Sequence, residues 1–252
     1  MTEKIEEKPK AEVFPLDQVE LPLHRTTILY GQTGKRKTTT ACRMVKERGL
    51  LISADHSWDV LFKPENKALR NIIDLRIYDG LSELDYIDYS GYDTIIADPI
   101  TSMVDRFGDL LLKDASWAGK FREKLSTINP ELKGVTTKAM IDYMVIRDAF
   151  QPALNRLMTL PAHIIFTAHV NSPIKVTQDT DMTLRPSLPG KTWEIISKPA
   201  SIIGYIETKG RDKVTVNVSE TASYCVAKSR VSGISGVMDL EEFIKAYREI
   251  VL

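Results

Sequence analysis

The residues with the clearest chemical pattern form one short segment, residues 28–39, with the sequence ILYGQTGKRKTT. Three apolar residues lead into a glycine-containing turn, and a helical pattern follows from residue 39 to residue 48. This order is typical of a phosphate cradle, because backbone N–H groups and the helix N-terminus both face a bound anion. In such a loop Lys37 would contact the β- and γ-phosphates, and the hydroxyl of Thr38 would hold Mg²⁺. The predicted cofactor-binding residues are Gly31, Gln32, Thr33, Gly34, Lys35, Arg36, Lys37, Thr38 and Thr39.

One position departs from the usual spacing of such a loop. The pattern G-x-x-x-x-G-K-[ST] is met by Gly31, Lys37 and Thr38, but Arg36 stands in place of the second glycine. Glycine there lets the backbone approach a phosphate closely or adopt a positive φ. We therefore expect Arg36 to strain or reshape the loop, and its charge could lie near the nucleotide. The alternative is a basic surface turn that simply joins a strand to a helix.

Two aspartates each follow an apolar run, as expected at the carboxyl ends of strands. Asp98 ends the run YDTIIAD and precedes Pro99. An aspartate in this position is the Mg²⁺-side acid of phosphate-loop NTPases. Asp55 follows the run LLISA, on the side where an open α/β sheet binds its ligand. For each aspartate the alternative is an N-cap of the segment that follows, which for Asp55 is residues 58–62.

His169 is a third candidate at a strand end, because it closes the apolar run at residues 162–168. Its imidazole could contact the γ-phosphate of a nucleotide. The alternative is a structural histidine whose ring is hydrogen-bonded at the end of the strand. The four histidines of the chain have no clustered spacing, so the sequence predicts no zinc site.

The segment from Lys113 to Lys138 combines basic and aromatic residues and has no regular apolar period. Six basic and three acidic side chains give it a local excess of positive charge. Such a composition suits single-stranded nucleic acid, through base stacking and phosphate contacts. The alternative, equally weighted, is a solvated excursion with two buried aromatic residues. A second long polar loop, residues 171–191, is also predicted to be functional. The predicted DNA-binding residues are Lys113, Trp117, Lys120, Arg122, Lys124, Lys175 and Arg185.

The elements that must position these residues alternate between strands and helices, which predicts an α/β fold. Strands are expected near residues 26–30, 50–54, 69–78, 92–98 and 162–169, with three more at 201–208, 214–218 and 224–227. Helices are expected at residues 39–48, 100–112 and 139–160, and the last of these contains Pro152, which could kink it or divide it in two. Gly49 fits the position after the first helix, and Asp239 is expected to N-cap a final helix at residues 240–250.

Length and composition are those of one ordinary globular domain. The chain has 252 residues, 43% hydrophobic residues, 27% charged residues and zero net charge, so any basic surface must be local. Residues 1–24 are predicted to be a tail with a short apolar patch at Val13–Leu16, and residues 25–252 a single domain. The patch either packs on its own domain or docks on a neighbouring subunit. Two distant cysteines and no membrane-length apolar run favour the cytoplasm.

Taken together, the phosphate loop, Asp55, Asp98 and His169 resemble the RecA-type ATPase core over residues 26–230. The chain is similar to a phage-encoded nucleotide-binding family with that core, which includes single-strand annealing proteins related to recombinases. The resemblance implies a mostly parallel central sheet flanked by helices, with antiparallel C-terminal strands. If phage-encoded, the protein would act in the host cytoplasm.

The resemblance also implies a role for each site residue. Lys37 and Thr38 match the phosphate-loop lysine and Mg²⁺ ligand, and Asp98 matches the second acidic motif. Asp55 falls where recombinases carry a glutamate that orients water, but it is one methylene shorter, so hydrolysis could be slow. His169 matches the polar sensor before the second DNA-binding loop. Lys228 and Arg230 match a Lys-x-Arg pair that reaches the nucleotide of a neighbouring subunit.

The function expected from this resemblance is an ATP- and Mg²⁺-dependent ATPase that binds single-stranded DNA in recombination, annealing or repair. It would assemble as a homo-oligomer, a ring or a filament, with nucleotide at the subunit interfaces. One alternative is a nucleotide or small-molecule kinase, for which the long loop at residues 171–191 offers only Arg185 as an arginine. The other is a non-hydrolysing nucleotide-binding scaffold, in which Arg36 marks a degenerate site.

Overall fold

The structure, a computed structural model, describes residues 25–80, 84–113, 140–171, 183–188, 192–209 and 213–252. Nine strands lie within these ranges: β1 Thr26–Gly31, β2 Gly49–Ser53, β3 Ile73–Ile77, β4 Thr94–Asp98, β5 His163–His169, β6 Ile202–Lys209, β7 Lys213–Asn217, β8 Lys228–Ser229 and β9 Val237–Asp239. The α-helices are α1 Lys37–Met44, α2 Ile100–Lys113, α3 Met140–Met158, α4 Thr192–Ser197 and α5 Leu240–Ile250. Two 3₁₀ helices, His56–Phe62 and Pro64–Asn71, connect β2 to β3.

The strands form one sheet in the order β3-β2-β4-β5-β1-β6-β7-β9, with β8 paired to β6. The six strands from β3 to β6 in this order are all parallel. The remaining pairs, β6–β7, β6–β8 and β7–β9, are antiparallel. The predicted fold class is therefore confirmed, a mostly parallel α/β sheet with antiparallel strands towards the C-terminus.

The central strands are buried on both faces, and alternate residues contribute to two separate cores. In β1, Ile28 and Tyr30 join the core that contains residues of α2, α3 and α4, whereas Leu29 joins the core that contains residues of α1 and α5. The same alternation runs through β4 and β5. Because side chains alternate between the faces of a strand, the residues that reach the α1 side can be counted along each strand.

The predicted end of the first helix and the predicted cap at Gly49 were wrong. Helix α1 ends at Met44 rather than Arg48, because Val45 is extended with ψ 136° and its N–H bonds to Cys42 O. Gly49 is thus not a helix cap. It begins β2, where a Cβ would lie 2.7 Å from Val45 Cγ2. The third strand lies within residues 69–78 as predicted, at Ile73–Ile77, because the 3₁₀ helix before it continues to Asn71.

Residues 224–227 were predicted to form a strand, and this was also wrong. Cys225 makes only an isolated bridge to Leu184, and the strand begins at Lys228. The carbonyl oxygen of Val226 lies 2.7 Å from the hydroxyl of Tyr30, which occupies an acceptor that a strand neighbour would otherwise use. The long helix α3 continues through Pro152 as one element, and Asp239 caps α5 as predicted, accepting from Glu241 N at 3.1 Å.

Residues 1–24, including the predicted tail and the patch at Val13–Leu16, lie outside the described ranges. Within those ranges, no helix combines the length and the apolar character needed to cross a membrane. Cys42 and Cys225 are both free thiols and both buried.

Candidate functional site

The strand-end residues singled out from the sequence meet at one edge of the sheet. Strands β1 and β5 are neighbours with Gly31 opposite His169, and β2 and β4 are neighbours with Ser53 opposite Asp98. Because these strands are parallel, their carboxyl ends open onto the same crevice. The loop that follows β1 leads into α1 at this edge, so the phosphate-loop residues join the same group.

The loop between β1 and α1 combines a close backbone approach with two left-handed residues. A Cβ on Gly31 would lie 2.5 Å from the carbonyl oxygen of Ile206 in β6, so only glycine fits there. Gly34 has φ +77°, and Arg36 has φ 61° and ψ 21°. Arg36 is the one non-glycine residue with positive φ in the described part of the chain. The strain expected from its replacement of glycine is therefore present in the backbone.

Lys37 is buried within the loop that it follows. Its ammonium donates to the carbonyl oxygens of Gly31 at 3.1 Å and Gln32 at 2.9 Å. Burial lowers the pKa of Lys37, while the charges of Asp98 and Asp55 oppose that shift. A buried ammonium held only by neutral carbonyls gains strongly from an anionic partner, because hydrogen bonds between charged groups are about twice as strong as neutral ones. A phosphate group in the loop would provide that partner.

Asp98 lies next to Lys37 in the same crevice and is 1% exposed. The hydroxyl of Thr38, on the first turn of α1, lies 3.1 Å from Asp98 Oδ1 and 2.9 Å from Oδ2. Burial raises the pKa of Asp98, and the hydroxyl donors around it lower it. A hydroxyl beside a carboxylate presents the hard oxygen ligands that Mg²⁺ prefers, so Thr38 and Asp98 fit the predicted metal role.

Two further hydroxyls donate to Asp98, and the sequence reasoning missed both. Thr167 in β5 bonds to Asp98 Oδ1, and Ser57 in the first 3₁₀ helix bonds to Oδ2. Thr167 could have been found by counting along the strand, since it lies two residues before His169 on the α1 side of the sheet. No sequence pattern singles out Ser57, because its position depends on the turn that follows β2.

Asp55 is an N-cap, as one of the two predictions from the sequence has it, and its role toward a ligand stays a prediction. Its Oδ1 accepts from Ser57 N at 2.8 Å and caps the 3₁₀ helix His56–Phe62. Its charge also influences the pKa values of Lys37, Asp98 and His169, in each case raising them. The N-cap therefore lies inside the crevice rather than away from it.

His169 lies at the end of β5, opposite Gly31 at the start of the phosphate loop. Burial lowers the pKa of its imidazole, and the charge of Lys37 lowers it further. Its Nδ1 is buried and has no hydrogen-bond partner among the described residues. The lowered pKa favours the neutral imidazole, and Nδ1 has spare hydrogen-bonding capacity. A contact between His169 and a γ-phosphate stays a prediction.

Lys228 and Arg230 do not join this site in their own chain. Strand β8 pairs with the amino end of β6, where Lys228 lies opposite Ile203, so both residues lie towards the other edge of the sheet. The ammonium of Lys228 donates to Ser197 O at 2.8 Å, and burial lowers its pKa. Arg230 is exposed, and its N–H bonds to Ser201 O at 2.8 Å. Their contact with a neighbouring subunit stays a prediction.

Most of the predicted DNA-binding residues lie outside the described ranges, namely Trp117, Lys120, Arg122, Lys124 and Lys175. Lys113 is the last residue of α2. Arg185 is exposed beside the crevice, because Ser187 N bonds to His169 O at 2.7 Å and Val170 bridges Pro186.

A comparison with protein-family models adds an independent finding to this geometry. A model described as an AAA domain matches residues 24–231. The chain belongs to this family. It is an AAA-type P-loop NTPase, and the family implies nucleotide binding, typically with Mg²⁺. A comparison with curated proteins gave no match.

Proposed function

We propose that the protein hydrolyses ATP and acts on single-stranded DNA in recombination, annealing or repair, as a RecA-like homo-oligomer. The observation that carries the hydrolytic part is the convergence of Lys37, Thr38 and Asp98 with Asp55 and His169 at one sheet edge. Phosphoryl transfer requires groups that position and neutralise the phosphates, and the site offers a helix N-terminus, a buried lysine, oxygen ligands for a metal and two further polar groups.

In this proposal each residue performs one task on a bound nucleotide. Lys37 exchanges its two carbonyl partners for the β- and γ-phosphates, and the loop amides surround the same oxygens. Thr38 and Asp98 would hold Mg²⁺, which neutralises the charge that develops on the phosphates. Asp55 would orient the attacking water. His169 would donate to the γ-phosphate through a ring nitrogen, since a neutral imidazole has one donor and one acceptor.

The proposed DNA partner is supported by composition rather than by contacts. Residues 113–138 carry six basic and three acidic side chains, with Trp117 and Phe121 between them. Base–aromatic stacking and phosphate contacts together bind single strands without sequence preference. The exposed guanidinium of Arg185, beside the crevice, would place a second cation where DNA and nucleotide could influence each other.

The deciding experiment measures ATP hydrolysis with and without single-stranded DNA, using duplex DNA as a comparison. We expect measurable turnover that single-stranded DNA increases. Lys37→Ala is the control, and it should abolish binding of a fluorescent ATP analogue while leaving the thermal midpoint nearly unchanged. Unchanged nucleotide affinity in folded Lys37→Ala would refute the site, whereas normal hydrolysis with no response to any DNA would refute only the DNA partner.

A second experiment tests the location of the DNA contact. Replacing Lys120 and Arg122 together by Ala should weaken single-stranded DNA binding and flatten its salt dependence, by about 0.7 in the log–log slope for each lost phosphate contact. A matched control is the pair Lys198 and Lys245, two exposed lysines that lie outside the basic segment, the first directly after α4 and the second in α5. If both double variants change the slope equally, the segment is not the DNA-binding surface.

One observation favours a second candidate function, nucleotide binding without hydrolysis. The carboxylate of Asp55 is short and one of its oxygens already accepts from Ser57 N at 2.8 Å, so it is less free to orient water. In that case the protein would bind ATP and Mg²⁺, respond to DNA, and show no turnover above the Lys37→Ala background. The same ATPase measurement separates the two.

A further inference from the structure

Ser57 links the two acidic residues of the crevice. Its backbone N–H donates to Asp55 Oδ1 at 2.8 Å, and its hydroxyl donates to Asp98 Oδ2. The residue lies in the 3₁₀ helix His56–Phe62, outside the phosphate loop and outside every strand. A single residue therefore fixes the candidate water-orienting acid and the candidate Mg²⁺-side acid relative to each other.

The carboxylate of Asp98 is held from different directions at its two oxygens. Thr38 approaches both oxygens from α1, at 3.1 and 2.9 Å. Thr167 fixes Oδ1 from β5, and Ser57 fixes Oδ2 from the 3₁₀ helix. If the Thr38 oxygen binds a cation, its bond to Asp98 must adjust. Thr167 and Ser57 would then be the side chains that keep the carboxylate from rotating about its Cβ–Cγ bond.

We propose that Ser57 is a positioning residue that orients Asp98 and thereby sets how strongly Mg²⁺ tightens nucleotide binding. This inference rests on the nucleotide- and Mg²⁺-binding role given to the site above. Hydrogen bonds that hold a metal-binding carboxylate in place typically contribute about 10–100-fold to metal affinity. Loss of the Ser57 hydroxyl leaves Oδ2 with only the adjustable Thr38 contact, so the Mg²⁺ contribution should fall.

Ser57 is a better position for a test than Thr167. Thr167 is completely buried in the sheet, so its replacement also changes the core. Ser57 is only half-buried. Its hydroxyl can be removed by Ser57→Ala, and two larger variants form a matched pair. Ser57→Thr keeps the hydroxyl and Ser57→Val replaces it by a methyl group of similar size, so the pair differs mainly in the bond to Asp98.

The experiment measures the dissociation constant of a fluorescent ATP analogue in excess Mg²⁺ and again in EDTA. The ratio of the two constants is the Mg²⁺ contribution. We expect that ratio to fall about tenfold in Ser57→Ala and Ser57→Val and to stay at the wild-type value in Ser57→Thr. The constant in EDTA should be the same in all four proteins, because Lys37 and the loop amides are unchanged.

Equal ratios in Ser57→Thr and Ser57→Val would overturn the inference, as would a loss of affinity that is the same with Mg²⁺ and with EDTA. If Ser57→Ala and Ser57→Val both fail to fold while Ser57→Thr folds, the hydroxyl is structural and the inference is also wrong. Failure of the proposed function gives a different result, since Lys37→Ala would then bind the analogue as tightly as the wild type. Wild-type binding that Mg²⁺ does not affect would overturn both.

Discussion

Arg36 holds a backbone conformation that glycine adopts without steric cost. Its φ of 61° and ψ of 21° place it in the left-handed region, directly before the first residue of α1. The carbonyl oxygen of Arg36 accepts from Thr40 N at 2.8 Å and from Thr40 Oγ1 at 2.7 Å, so the strained residue is fixed by the helix it starts. Strain held in place in this way is common at ligand-binding sites.

We expect Arg36→Gly to stabilise the protein. A Cβ in the left-handed region lowers the free energy of unfolding by about 1–2 kcal/mol, and Arg36→Gly removes that cost. Glycine also makes the unfolded chain more flexible, which lowers the free energy of unfolding by about 0.4–1 kcal/mol. The net gain should be about 0.5–1 kcal/mol in the free energy of unfolding, measured with urea. Arg36→Ala is the control, since it removes the charge and keeps the Cβ. Equal stability of the Gly and Ala variants would show that the backbone at residue 36 is not strained. A loss of ATP affinity in both variants would show that the guanidinium of Arg36 contacts phosphate.

His169 should make stability depend on pH in a defined window. Burial and the charge of Lys37 hold its folded pKa below the ordinary 6.5. As pH falls below about 6.5, the unfolded chain takes up more protons at this position than the folded chain, so protonation favours unfolding. The contribution of His169 to the free energy of unfolding is therefore present above about pH 6.5 and is lost as the pH falls.

The measurement compares the unfolding free energy of the wild type with that of His169→Gln between pH 8 and pH 5. The stability of the wild type relative to the variant should decline below about pH 6.5, with a slope of at most about 1.4 kcal/mol per pH unit. The other histidines cancel in this difference. A constant difference over the whole range would show that the imidazole titrates normally.

At the scale of elements, the sequence predicted the parts of the site that depend on strands. Asp98 and His169 both follow apolar runs, and parallel strands bring such ends to one edge whatever their order. Ser57 could not be predicted in this way, because a 3₁₀ turn has no apolar period that fixes the direction of a side chain. The strand wrongly predicted at residues 224–227 has the same origin. The hydroxyl of Tyr30 donates to the carbonyl oxygen of Val226, and the sequence of residues 224–227 alone does not reveal this tertiary contact.

Gly31 determines how closely β1 and β6 approach each other beside the loop. In Gly31→Ala the new Cβ would meet the Ile206 carbonyl oxygen at 2.5 Å, and a backbone atom cannot move aside cheaply. We expect a loss of about 1–3 kcal/mol in the free energy of unfolding, with faster amide hydrogen exchange in β6. Gly34→Ala is the control because it has φ +77° but open space around the Cβ. It should lose stability through backbone strain alone, and faster exchange in β6 of this control as well would contradict the steric explanation.

At the scale of the whole molecule, the positions of Lys228 and Arg230 limit what they can do. Strand β1 runs from Thr26 to Gly31, which corresponds to about 17 Å at the rise of a parallel strand. Thr27 lies opposite Ile202, the residue that pairs with Ser229. Lys228 lies opposite Ile203 and so is level with Ile28, about 10 Å along the strand from Gly31, whereas Arg230, bonded to Ser201, is at the far end of β1. Any role of Arg230 in hydrolysis has to be exerted on the loop of another subunit, which a head-to-tail assembly would allow.

The proposed homo-oligomer makes a specific prediction for Arg230→Ala. The variant should bind ATP as the wild type does, because its own loop is intact, and hydrolyse it about a thousandfold more slowly, the usual effect of losing an arginine supplied to a transition state. Lys37→Ala should be inactive for the opposite reason, since it lacks the phosphate contact but keeps Arg230. Mixed in equal amounts in a head-to-tail assembly, the two variants should restore about a quarter of the wild-type interfaces.

The measurement is the ATPase rate of the mixture against the sum of the rates of the two variants, with co-assembly checked by size-exclusion chromatography and light scattering. The double variant Lys37→Ala, Arg230→Ala replaces Lys37→Ala in a control mixture, and it should restore nothing because no subunit of that mixture carries Arg230. Recovery in the first mixture alone assigns Arg230 to the neighbouring subunit's site. If both mixtures co-assemble and neither has an ATPase rate above the sum of the rates of its two variants, Arg230 does not act between subunits.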